Sequence, residues 1–63
     1  MPTLEDVLDA FDSMESLSVQ SMALQLALEK RGFAADDAVN AINSAISATH
    51  LMMDPRTHAI RKI

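Results

Sequence analysis

With 63 residues and a net charge of −4, the chain has room for one small domain and no second one. It contains no cysteine and a single glycine, which excludes a disulfide framework, a thiol nucleophile and a glycine-rich phosphate loop. Nearly half the residues are apolar, yet no run is long enough to span a membrane and no basic-then-apolar leader opens the chain, so the expectation is a soluble cytoplasmic protein.

The two signs of charge are separated. Glu5, Asp6, Asp9, Asp12, Glu15 and Glu29 stand within residues 1–29, which hold no base, whereas Arg56, His58, Arg61 and Lys62 stand within residues 55–63, which hold no acid. The acidic start disfavours generic affinity for nucleic acid, and the basic end leaves room for a local phosphate contact. Phe11 and Phe33 are the only aromatic residues, and five methionines fill in. Such a core is soft and adaptable.

A first helix is predicted over about residues 3–14. Thr3 suits the N-cap, with Asp6 in the reciprocal place of a capping box. Leu4, Val7, Leu8, Phe11 and Met14 form one apolar stripe, and Glu5, Asp6, Asp9 and Asp12 form the opposite face. Those acids read either as a solvated face or as a patch for a basic partner. Glu15 to Ser18 breaks the period. Ser18 is expected to cap the next helix, Leu17 to plug the core, and Leu17–Val19 to allow a very short strand.

A second helix is predicted over about residues 19–31. Val19, Met22, Ala23 and Leu26 make its expected core stripe. Leu24 and Leu28 then fall on nearly the opposite side, because each residue advances the helix by about 100°. A helix apolar on two sides is either sandwiched or sits at an interface, so Leu24 and Leu28 become the candidate partner surface. Gly32 ends the helix, where a residue tolerating positive φ is needed, and Phe33 turns inward.

A third helix is predicted over about residues 35–49, with Asp36 and Asp37 in its first turn. Val39, Ile42 and Ile46 form the expected core stripe, widened by Ala38, Ala41, Ala45 and Ala48. Asp36, Asn40, Asn43 and Ser47 line the outer face, with Asp37 and Ser44 beside them. A β-hairpin is predicted over about residues 49–63, turning at Asp54-Pro55-Arg56-Thr57. A tight turn sets Met53 opposite His58 and Leu51 opposite Ile60, with Met52, Ala59, His50 and Arg61 facing outward; a longer loop changes that pairing.

The expected fold class is therefore mainly α with a small β-hairpin. The order helix, short strand, helix, glycine turn, helix, hairpin resembles a winged-helix domain over nearly the whole chain. Leu17-Ser18-Val19 resembles its first strand, Ala23 and Leu26 the buried pair of its second helix, and Gly32-Phe33 its turn. Ala35 to Thr49 resembles its recognition helix, and Met53 to His58 a short wing. The resemblance implies duplex DNA binding, with Asn40, Asn43, Ser44 and Ser47 facing bases and Arg56, His58, Arg61 and Lys62 facing phosphates. The third helix carries no Lys or Arg, however, and winged-helix folds also serve as protein-interaction modules.

Catalysis is not expected. A Ser–His–acid set could be drawn from His50 or His58 and Asp54, but nothing in the sequence orients it. Metal binding is not expected either, since His50 and His58 fall on opposite faces of the hairpin and match no zinc spacing. No cofactor or small-molecule substrate is implied. The expected function is a small non-catalytic interaction module, a homodimer or a regulatory subunit with a protein partner; the alternative is a winged-helix transcriptional regulator that binds DNA.

Overall fold

A computed structural model describes residues 1–63. The first element, α1, spans Leu4–Ser13. Its capping box is complete: the Thr3 hydroxyl accepts from the Asp6 N–H at 3.2 Å, and Asp6 Oδ2 accepts from the Thr3 N–H at 2.9 Å. Two otherwise orphaned donors are thereby satisfied. Val7, Ala10 and Phe11 are buried, with Leu8 and Met14 packed at the margin. Glu15 ends the helix at φ 51, and its N–H donates to the Asp12 carbonyl.

Leu17 does not plug the core; it is 92% exposed. The strand β1 begins two residues later, at Val19–Gln20. The next helix, α2, spans Ser21–Lys30 and has no side-chain cap at its N-terminus. Ser18 therefore does not cap it. The Ser21 N–H instead donates to the His58 carbonyl at 3.0 Å. Backbone from the distant hairpin satisfies a donor that a local side chain was expected to satisfy.

That strand also corrects the phase of α2. Counting from Val19 as a helical core position put Leu24 and Leu28 outside. Val19 is inward-facing but extended, so its direction says nothing about the helix that follows. Leu24 and Leu28 are both 0% exposed. They are core residues, whereas Met22 and Leu26 from the expected core stripe lie in solvent.

The close of α2 follows the sequence reading. Gly32 sits at φ 102; its N–H donates to the Glu29 carbonyl and the Phe33 N–H to the Leu28 carbonyl. This is a Schellman closure, and Phe33 packs beside the core as that motif requires. Helix α3 spans Ala35–Ser47. Its buried stripe is mostly alanine: Ala38, Ala41, Ile42 and Ala45. Small side chains let the other elements come close, and Val39, displaced to the rim, is exposed. The same double closure ends α3, with Thr49 N–H to Ile46 carbonyl and His50 N–H to Ala45 carbonyl. Here the left-handed residue is Thr49, at φ 62.

Two further strands, β2 at Leu51–Met53 and β3 at Ala59–Lys62, complete an antiparallel sheet of order β1-β3-β2. Val19 pairs with Ile60 and Gln20 with Ala59. Leu51 pairs with Lys62, Met52 with Arg61 and Met53 with Ile60. The expected pairs Met53–His58 and Leu51–Ile60 are thus displaced by two residues. The cause is a longer turn: the His58 N–H donates to the Asp54 carbonyl, the Arg56 N–H to Asp54 Oδ1, and His58 takes φ 59. A two-residue displacement preserves side-chain parity. Leu51 and Ile60 still share the inner face, buried with Val19 against the helices. The result is three helices on one small antiparallel sheet, enclosing a core in which no polar side chain is buried.

Candidate interaction surfaces

The outer face of α2 is the first candidate. Met22 is 59% and Leu26 49% exposed. They stand four residues apart, so they are stacked on one face of the helix. The core residues Leu24 and Leu28 occupy the other face and cannot meet a partner without unfolding the chain. The amphipathic count had the right number of apolar faces but assigned them in reverse.

The outer row of α3 is the second. Asn40, Asn43, Ser44 and Ser47 are all exposed, which makes a strip of amides and hydroxyls. Asp36 and Asp37 lie in the first turn of that helix, where the helix dipole is positive and carboxylates are stabilised. The same carboxylates repel an approaching phosphate. No Lys or Arg lies on α3.

The hairpin is the third. Arg56, His58, Arg61 and Lys62 are exposed, yet they do not share a face. Lys62 forms an ion pair with Asp12 of α1, which holds it on the helical side of the sheet. Arg61, its neighbour along β3, points the opposite way by strand alternation. Arg56 belongs to the turn. Neither Arg56 nor Arg61 has an ion-pair partner or a side-chain hydrogen bond within the chain. His50 follows the α3 closure and His58 lies in the turn, and no group of three metal-ligating side chains is gathered anywhere.

An open depression of about 520 Å³ lies on the sheet face turned away from the helices. Met52, Met53, Pro55 and Ala59 supply its apolar lining, and Ser18, Asp54, Arg56 and Arg61 its polar lining. Strand alternation alone predicts Met52, Ala59 and Arg61 on this face; the longer turn adds Arg56 to them. The turn chemistry that does so, an Asp54 carboxylate accepting from a backbone N–H two residues on, is a common asparagine–aspartate turn habit and was the available signal.

No family model, no curated protein and no solved structure matches the chain. Its surfaces must therefore speak for its chemistry. No helix is long and apolar enough to cross a membrane.

Proposed function

We propose that this chain is a small non-catalytic interaction module, self-associating or acting as a regulatory subunit for a protein partner, and that α2 presents the contact. The observation that carries this reading is the outward pair Met22 and Leu26. Each leaves an apolar side chain in water on a helix whose other face already fills the core. Full burial of such a side chain is worth roughly 1.5–3 kcal/mol, of which about half remains to be gained at these two half-exposed positions. A protein partner, whether a second copy or another chain, would gain from that; a polyanion would not.

Sedimentation velocity across micromolar concentrations tests the self-associating form. A concentration-dependent dimer that dissolves in Met22→Glu and Leu26→Glu, with thermal stability of the monomer retained, is the expected result. A strict monomer that captures no protein partner through these two residues would remove the proposal.

A winged-helix-like DNA-binding regulator is the second reading. It draws support from the element order, from the exposed Asn40, Asn43, Ser44 and Ser47 row, and from the unpartnered Arg56 and Arg61. Against it stand the acids at the head of α3 and the engagement of Lys62 with Asp12, which together leave few groups to neutralise phosphate. Anisotropy with a labelled duplex in low salt decides. Binding that weakens with added salt and with Arg56→Ala or Arg61→Ala would favour DNA.

A further inference from the structure

The depression on the outer sheet face adjoins a free strand edge, and the two together describe a ligand. In an antiparallel pair, hydrogen-bonded and non-hydrogen-bonded residue pairs alternate. The Asp54 N–H donates to the Ala59 carbonyl at 2.9 Å, and the Ile63 N–H to the His50 carbonyl at 3.5 Å. Those pairs flank β2 and fix the alternation, so Met52 is bonded to β3 while Leu51 and Met53 turn their N–H and C=O groups away from it. No turn, loop or cap hydrogen bond of the backbone involves either residue. With the order β1-β3-β2, that side of β2 is an edge of the sheet.

Natural edges are commonly protected by lysine, proline or a bulge. Leu51-Met52-Met53 has none of these within it, and both Met52 and Met53 are about two-fifths exposed, at 41% and 38%. On the outer face, Arg61 stands on the central strand opposite Met52 and Arg56 stands in the turn, neither with an internal partner; they line the depression together with Met52, Pro55, Ala59 and the acidic Asp54. An added strand would send alternate side chains to the two faces of the sheet. Its outward residues would meet the arginines, and its inward residues would lie beside Met53.

We propose that the β2 edge and the arginine-flanked depression form a binding site for an extended peptide segment of alternating acidic and apolar residues. The backbone of the segment pairs with Leu51 and Met53. Its carboxylates engage Arg56 and Arg61, with their aliphatic stems over Met52, and its apolar side chains extend the inner face past Met53. The occupant is chosen by charge complementarity and by the backbone groups the edge leaves free. The site is separate from the outer face of α2 and does not depend on it.

The test uses the full chain and a fluorescein-labelled peptide of about eight residues alternating Glu and Val, long enough to run past a short strand. Saturable binding in low salt is expected, with no binding of the matching Lys–Val peptide. Arg56→Ala and Arg61→Ala, both at exposed positions and checked for unchanged melting, should each weaken binding by about fivefold or more, as loss of a charge-assisted contact does. N-methylation of alternate peptide amides on the bonding edge should weaken it by about tenfold, because the ladder hydrogen bonds are lost. Met22→Glu should leave it unchanged, which separates this site from the α2 contact. Binding indifferent to both arginines, or to N-methylation, would overturn the assignment. So would a short DNA duplex that displaces the peptide and requires the same arginines, or a dimer that persists in Met22→Glu and dissolves in Arg61→Ala, since the occupant would then be DNA or a second copy.

Discussion

Thr49 carries a β-branched side chain at φ 62, in a region where such residues are seldom found. It occupies the left-handed position that closes α3, the role that Gly32 plays for α2. Glu15, at φ 51, does the same for α1. Each helix ends on a residue of positive φ, but glycine marks only one of the three ends in the sequence. Thr49→Gly should relieve the strain and raise stability by about 0.5–1 kcal/mol after the added freedom of the unfolded chain is counted. Urea midpoints would check it. Gly32→Ala should move the other way, by about 1–2 kcal/mol. A Cβ at Gly32 would meet nothing within 4 Å, so that cost would come from the backbone alone. Both changes leave the α2 face and the sheet edge intact, and so should alter stability without altering any binding.

Among the elements, α2 separates what periodicity reveals from what it conceals. The period of three and four was legible, and so was the presence of apolar residues on two sides. The phase was not, because the helical count starts at Val19, which the sequence allows in either a helix or a short strand and which is extended in fact. Its pairing with Ile60, far along the chain, is the kind of contact that no local window contains. The two faces can be told apart by mutation. Leu28→Ala should cost roughly 2–5 kcal/mol, as expected of a large-to-small change in a packed core. Leu26→Ser should change monomer stability by no more than about 0.5 kcal/mol. Equal effects at both positions, measured by chemical denaturation at low protein concentration, would contradict the assignment of faces. The hairpin shows a milder error of the same origin. The Asp54-Pro55 turn chemistry was readable, but its length was not, and only the two-residue parity kept Leu51 and Ile60 on the expected face.

For the whole molecule, the separation of charge along the sequence is partly reversed in space. Asp12 from the acidic helix meets Lys62 from the basic hairpin. Both side chains are largely exposed, so the contact should contribute at most about 1 kcal/mol. Lys62→Ala should therefore leave folding nearly unchanged, as a thermal melt would show. The pair matters more for what it removes: one cation fewer on the hairpin. The exposed amides and hydroxyls of α3 were legible in the sequence, as was the absence of a cation beside them. The arginine-flanked depression was not, since it needs the turn length, the strand register and the sheet order together.

The strand at the middle of the sheet is the last one in the sequence. During synthesis, residues 1–58 can form helices, but β1 and β2 have nothing to pair with until Ala59–Lys62 emerges. Until then Val19 and Leu51 lack the strand that joins them, and the first amide of α2 lacks the hairpin carbonyl that receives it. Cooperative folding should therefore wait on Ala59–Lys62, and removing that strand should leave a loose helical collapse in place of a native sheet.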